Sequence, residues 1–470
     1  MAISSKRPTL AEALAAAKDT RALEIGSKIL HKTPELFQQQ FGDVPGVIVA
    51  DANTFEAAGR TVFDALQQDN QCIEPFIYAD PNLYAEHKFV TELVESLKSH
   101  DAIPVAVGSG TINDITKLAA HEVGRPYMCV ATAGSMDGYT AFGASITQNG
   151  SKQTFFCPAP KAVLADLDVI RAAPGNMNSW GYTDLVAKVT AGADWMLSDA
   201  MGAEPVHAEA WKIIQPGLRE LIADPGGVPT RQPEVISRLI EGLMLAGFAM
   251  QAAKNSRAAS GAEHQFSHLW DMQHHTHNGK APSHGFKVGI GTLAITSLYE
   301  FLLEQPLEKL NVDECCEAWP DEVAVAKMIR ERFSEGDLTV VALQESRAKW
   351  IDRKELREQM EKLRAMWPTL KERLRKQLHS FAELKQMLSE AGAPVEPEEI
   401  GISRERLRDS FWMAYFIRRR FTVLDLAVRT NLLERALEHI FGTKGRWAIK
   451  SNLATGAATG AVGTPRPTSK

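Results

Sequence analysis

His264 and His268 stand four residues apart in Gly261-Ala262-Glu263-His264-Gln265-Phe266-Ser267-His268, and His284 follows just ahead of Gly285. Residues four apart share one face of a helix. Three histidines that converge, joined by a carboxylate from elsewhere in the chain, make a shell for a divalent metal. Imidazole suits zinc, nickel or iron, and a shell of three protein ligands leaves a position open for substrate. The same spacing also describes a surface pair or satisfied core histidines, so spacing alone leaves both readings open.

A second chemistry lies upstream. Ile103-Pro104-Val105-Ala106-Val107 reads as a short buried strand that runs into Gly108-Ser109-Gly110-Thr111 and then a helix from Ile112. A glycine turn between strand and helix lets backbone N–H groups approach a phosphate. The pattern is G-x-G-T, not the full dinucleotide fingerprint, and no G-K-[ST] follows, so a nucleotide turn and a ligand-free tight turn both remain open. Asp51 ends an earlier strand, Gly46 to Ala50. A carboxylate there either accepts from an adenosine ribose, favouring NAD over NADP, or caps a turn.

The elements that must position these residues fall into two kinds. From Ala22 to Asp168 strand-like and helix-like segments alternate, with further strands at Pro75–Tyr78, Tyr127–Ala131 and Ala162–Asp166. The segments Phe55–Gln68 and Leu83–His100 read as helices. This alternation predicts a largely parallel sheet covered on both faces. After Ile170 strand signals fade and helical patterns run from Tyr182 to Phe441, including a charge-rich amphipathic stretch over Asp352–Glu390. The expected fold is an α/β dinucleotide-binding domain over 22–178 and an all-α metal- and substrate-binding domain over 179–445. An N-terminal extension over 1–21 and a disordered tail over 446–470 flank them. Ligands in such an arrangement sit at the carboxyl ends of the strands or between the domains.

With 470 residues the chain is long enough for two or three domains with substantial cores, and its net charge of −6 argues against a nucleic-acid partner. No run reads as a membrane span. Five cysteines, without a C-x-x-C, argue against a disulfide scaffold, and Met1–Lys18 carries no apolar signal region, so cytoplasmic residence is expected. Association into a homo-oligomer stays open.

Taken together, Gly108-Ser109-Gly110-Thr111 with Asp114 and Lys117, Ser135-Met136-Asp137-Gly138, Asp184, Gly261-Ala262-Glu263-His264 with His268, and His284-Gly285 resemble a known family. It is the glycerol-1-phosphate dehydrogenase branch of the iron-containing alcohol dehydrogenase and dehydroquinate synthase-like superfamily. Ala391-Gly392-Ala393-Pro394, Glu398-Glu399-Ile400-Gly401 and Arg420–Asp425 add to the resemblance, which runs from about Glu24 to Gly442.

The resemblance implies a metal-dependent, NAD(P)-linked dehydrogenase that interconverts dihydroxyacetone phosphate and sn-glycerol 1-phosphate. It implies one divalent metal (Zn, Ni or Fe) on Asp184, His264 and His284. His268 and Asp137 would contact substrate in catalysis. Gly108, Ser109, Gly110, Thr111, Asp114, Thr132 and Ser135, with Asp51, would bind the dinucleotide. Asp184 reads locally as a residue at a helix opening. A dehydrogenase of glycerol or another small polyol, a dehydroquinate synthase-type cyclase and a vestigial dinucleotide-binding protein stand as alternatives. Two departures from the family are visible. Ala141 replaces a serine, and the segment after His268 is longer than in archaeal members, adding His274, His275 and His277 on what reads as a solvated loop. Lys152, Lys188, Arg257 and Lys287 lie near these motifs, with no one of them singled out as a phosphate ligand.

Overall fold

The computed structural model describes residues 7–69, 71–148 and 151–449. Six parallel strands form one sheet: β1 (Ala22–Gly26), β2 (Gly46–Asp51), β3 (Cys72–Tyr78), β4 (Ile103–Gly108), β5 (Met128–Ala131) and β8 (Ala162–Asp166), in the order β1-β8-β5-β4-β2-β3. Between β5 and β8 the chain makes an antiparallel hairpin, β6 (Ala144–Gln148) and β7 (Ser151–Phe155). The central strands are apolar throughout because helices cover both faces; Val105, Ala106 and Val107 are all fully buried. From β2 the chain moves outward to β3 and then returns to the other flank of β2 as β4. This reversal opens a crevice between the carboxyl ends of β2 and β4, where α/β sheets take ligands. Helix α1 (Gly110–Glu122) starts directly above β4.

The remaining chain is helical. Its elements near the sheet are α2 (Met177–Val186), α3 (Lys188–Met201), α4 (Pro233–Ala253), α5 (Ala262–Met272) and α6 (His284–Glu304). Helices α4 and α6 are each long and apolar enough to cross a membrane by length and composition, with mean hydropathy 1.3. The sequence reading found no such run, because glycines and single polar residues interrupt the pattern. In the fold, 78% and 89% of these two segments is buried inside the protein. Helix α6 comes unusually close to its neighbours. A Cβ at Gly285 would stand 2.1 Å from the Trp180 carbonyl oxygen of α2, and one at Gly291 would stand 2.4 Å from that of Glu263 on α5. Only glycine permits these approaches, and they draw together the three helices that carry Asp184, His264 and His284.

Several expectations shift. The segment read as one helix over Phe55–Gln68 is a π turn, Phe55–Gly59, leading into a helix over Arg60–Gln68. The charge-rich stretch divides into Arg353–Gln377 and Phe381–Glu390, the second opened by a Ser380–Glu383 capping box. β1 and the β6–β7 hairpin carried no strong strand signal. Packing continues past residue 446: Trp447 is buried and its indole N–H donates to Glu396 Oε2 at 3.0 Å. Of the N-terminal extension, Leu10–Ala16 is helical and lies on α4. Residues 1–6, and 450–470 of the expected tail, lie outside the described residues.

Candidate functional site

Three helices bring one ligand atom each of Asp184, His264 and His284 within 4.8 Å of one another. His264 lies on α5, and His284 is the first residue of α6, which Ser283 caps by accepting from the Phe286 N–H at 3.2 Å. His268 follows His264 by one turn of α5. The three imidazole rings stand with centroids 5.3 Å (264–284), 6.2 Å (264–268) and 6.3 Å (268–284) apart. Asp184 is not at a helix opening. It sits near the carboxyl end of α2, where the helix dipole disfavours a negative charge, so its carboxylate calls for a cation nearby.

Lys188 supplies one. Its Nζ donates to Asp184 Oδ1 at 2.6 Å and lies 2.7 Å from Asp137 Oδ2. The Asp137 backbone N–H donates to Asp184 Oδ2 at 3.2 Å, which ties the Ser135–Gly138 segment to α2. Burial opposes ionisation of Asp184, but Lys188 and then the His264 hydrogen bond hold its carboxyl well below the usual range. Burial, then Asp184, pushes Asp137 upward. Burial pushes His284 down to about 3, so it is a neutral donor of a lone pair.

The donor set fits a divalent cation. His264 Nδ1 is 2.8 Å from Glu263 Oε1, which leaves Nε2, 3.4 Å from Asp184 Oδ1, toward the centre. His284 Nδ1 is 3.2 Å from Ser267 Oγ, again leaving Nε2. Outer partners of this kind fix tautomers at metal-binding histidines. Three carboxylates, Asp137, Asp184 and Glu263, share this buried space with one lysine. A dication would restore charge balance, and buried charge demands such compensation. Among the described residues no other His, Cys, Asp or Glu group converges in this way.

His268 is turned to a different partner. Arg418 Nη2 donates to its Nδ1 at 2.7 Å. Guanidinium is only a donor, so the His268 proton sits on Nε2. Burial and then Arg418 push its pKa well below the ordinary value, keeping the ring neutral. Sequence reading missed Arg418, Glu263 and Ser267 and set Lys188 aside. Glu263 and Ser267 were visible in the histidine motif, and the Lys188 spacing to Asp184, one helical turn, was legible. Nothing local marked Arg418.

At the sheet, the crevice holds the other expected residues. Asp51 at the end of β2 and Gly108-Ser109-Gly110-Thr111 above β4 flank it. Thr132 and Ser135 follow on the adjoining β5, the Thr132 N–H donating to Gly108 O at 3.1 Å. Ser109 precedes α1 as its N-cap residue but makes no side-chain cap bond, so the first N–H groups of a thirteen-residue helix face the crevice. Asp51 Oδ1 caps a short helix, accepting from Asn53 and Thr54 N–H at 2.8 and 2.9 Å, which is the cap role weighed for it. Asp114 turns to the wall, its oxygens accepting from Ser145 N–H and Asn113 Nδ2 at 3.2 and 3.3 Å. Lys117 is fully buried and donates to the carbonyls of Gly138, Ala141 and Gly143, each at 3.0 Å.

The expected histidine loop is not simply solvated. His275 is buried, hydrogen-bonded through Nε2 to Ile400 O at 2.7 Å and through Nδ1 to Arg406 at 2.8 Å, which makes it a clamp on the Glu398–Gly401 turn. Arg257 is buried against the Asp194 and Phe421 carbonyls.

The profile of the iron-containing alcohol dehydrogenase family matches residues 24–174. A glycerol-1-phosphate dehydrogenase (NAD(P)+) of Geobacillus thermodenitrificans is 30% identical over 393 residues, covering 83% of this chain and 87% of the relative. The enzyme of the same name from Halalkalibacterium halodurans is 34% identical over 281 residues, 59% of this chain and 70% of the relative. Among solved structures, glycerol dehydrogenase from Schizosaccharomyces pombe covers 93% of this chain and 92% of its own at TM-score 0.56 and 16% identity. Maleylacetate reductase from a Rhizobium strain covers 90% and 97% at TM-score 0.56 and 15% identity. These two likenesses carry the fold.

Proposed function

We propose that this chain, which belongs to the glycerol-1-phosphate dehydrogenase family, interconverts dihydroxyacetone phosphate and sn-glycerol 1-phosphate with a nicotinamide dinucleotide. The observation that carries the reading is the convergence of Asp184, His264 and His284 beside a neutral His268, in a fold whose sheet crevice is edged by Asp51 and the Gly108–Thr111 turn. Asp184, His264 and His284 would hold one divalent metal. When bound, that ion supplies Lewis-acid polarisation of the substrate oxygen, and the nicotinamide supplies or accepts the hydride.

The chain's own residues do the rest. Reduction of the ketone consumes one hydride and one proton. His268 Nε2–H is free within the described residues and can donate to the substrate oxygen as negative charge develops there, while Arg418 holds the ring in that tautomer. Lys188 fixes Asp137 and Asp184 in one orientation, and Asp137 is the carboxylate available to a substrate hydroxyl. The turn at Gly108–Thr111 and the start of α1 would receive the pyrophosphate, and Asp51 the ribose, which favours NAD. Five cysteines, all buried and unpaired, suit a reducing cytoplasm.

NADH oxidation with dihydroxyacetone phosphate, before and after chelation and with product stereochemistry determined, tests the reading. Turnover lost on chelation and restored by Zn, Ni or Fe, with sn-glycerol 1-phosphate as product, is expected. Asp184→Asn and His284→Ala should each lose both metal and turnover. Activity confined to unphosphorylated glycerol would favour the polyol reading, and turnover without net NADH change the cyclase reading.

A further inference from the structure

Around His268 and Asp271 the structure gathers three cations, Arg418, Lys152 and Lys287. Arg418 is partly buried; among the described residues its one hydrogen bond goes to the neutral imidazole of His268 and it forms no ion pair. Glu345, a carboxylate whose charge acts on Arg418, is taken up by Arg419, whose backbone N–H and guanidinium both donate to it. Lys152 comes from a different part of the chain, on β7 of the hairpin that lies against α5. It stands 3.6 Å from Asp271 Oδ2, beyond hydrogen-bond reach, and its charge acts on both His268 and His284. Lys287 already forms a close pair with Asp271. Lys152 and Lys287 thus share Asp271, Lys152 also acts on Asp114, and Arg418 has no carboxylate partner among the described residues, so positive charge exceeds its direct partners at a partly buried place. Such cations are costly unless an anion meets them.

Their position is set by helix geometry. Asp271 follows His268, and Lys287 follows His284, by three residues, so each lies about one turn along the same helix face. Dihydroxyacetone phosphate and glycerol 1-phosphate carry their phosphorus three covalent bonds from the reacting carbon. With that carbon at the Asp184–His264–His284 cluster, the phosphate reaches a neighbouring turn. Arginine matches phosphate oxygens with paired donors and lysine with a point charge.

We infer that Lys152 and Arg418 form the receptor for the phosphate monoester of the substrate, with Lys287 neutralising Asp271 so that Lys152 stays free for the anion. This rests on the dehydrogenase reading above for the identity of the substrate, while the receptor itself is testable with inorganic phosphate. Because Lys152 belongs to the α/β half and Arg418 to the helical half, a bound phosphate ties the two walls together.

Calorimetric titration of the metal-loaded enzyme with inorganic phosphate, on wild type, Lys152→Met and Arg418→Met, tests it. Each substitution should weaken phosphate binding by at least about 30-fold. In turnover, Lys152→Met should raise the KM for glycerol 1-phosphate with a much smaller change in kcat. Lys152→Arg keeps the charge and should retain most of the binding; a loss as large as that of Lys152→Met would overturn the charge argument. Phosphate affinity unchanged in both methionine variants would overturn the receptor even in an enzyme active on glycerol 1-phosphate. Weakened phosphate binding in both, in an enzyme that turns over neither phosphorylated substrate, would uphold the receptor and sink the reaction assignment instead.

Discussion

Oε1 of Glu263 lies 2.8 Å from Nδ1 of its neighbour His264, and the same carboxylate accepts from Thr190 Oγ1 at 2.8 Å and the Gly261 N–H at 2.6 Å. Adjacent residues on a helix ordinarily point apart. Here Glu263 lies in the first turn of the helix, where N–H groups are free, and folds back onto both the helix start and the imidazole. The carboxylate is held from three sides, and it in turn holds the ring with Nε2 toward Asp184.

Glu263→Gln should therefore weaken metal binding by about 10–100-fold, the range seen when an outer partner of a metal-binding histidine is changed. The amide still has an oxygen for Thr190 or Gly261, so the metal-free protein should melt close to wild type. Zinc affinity measured by competition with a chromophoric chelator checks this. Equal affinities in the two proteins would mean that Glu263 serves only the helix start.

Gly110→Val should raise the dissociation constant for NADH by about 10-fold or more while metal content stays unchanged, because the side chain fills the approach that a pyrophosphate needs. A Cβ at Gly110 would stand 3.0 Å from both Cγ and Cε of Met136, so a branched side chain also pushes on the segment leading to Asp137. Fluorescence titration with NADH, alongside metal analysis, gives the answer. An unaltered NADH affinity would remove this turn from the dinucleotide site.

The alternation of strands and helices was legible because parallel strands buried on both faces must be apolar throughout. Gly46–Asp51 and Ile103–Gly108 announce themselves in this way. The β6–β7 hairpin was not legible: its strand Ser151–Phe155 carries Lys152, Gln153 and Thr154, and it is fixed by Asp114 and by α5, far away in sequence. The histidines could be found because helical spacing places them together. Arg418 could not, since its partner His268 lies 150 residues away and no local pattern links them. Asp184 was found through the resemblance, but its place near the carboxyl end of α2 needed the break at Ala187, which no proline or glycine marks.

Lys117 was read beside the glycine turn, yet its ammonium group closes the far side of the site. It satisfies the carbonyls of Gly138, Ala141 and Gly143, next to Asp137. Lys117→Met removes all three donors and leaves the carbonyls buried, which should cost about 3 kcal/mol or more. Thermal melting should show the loss, and the KM for substrate should rise as the Asp137 segment loosens. A variant that melts like wild type would show that water replaces the ammonium without penalty.

His268 shares a helix face with His264, but its Nδ1 is occupied by Arg418 and the trio Asp184, His264 and His284 converges without it. His268→Ala should therefore keep metal and dinucleotide while lowering kcat with dihydroxyacetone phosphate by about 10²–10⁴-fold, the span of general acid–base contributions. His268→Gln separates the two roles open to the ring. Its amide N–H can hydrogen-bond the substrate oxygen but cannot give up a proton. If His268 delivers the proton, the glutamine variant should be as slow as the alanine variant in kcat while keeping a KM near wild type. If His268 only orients substrate, glutamine should recover most of the turnover. Stopped-flow NADH oxidation on both variants distinguishes these outcomes, and metal lost from either one would place His268 in the coordination shell in place of one of the three.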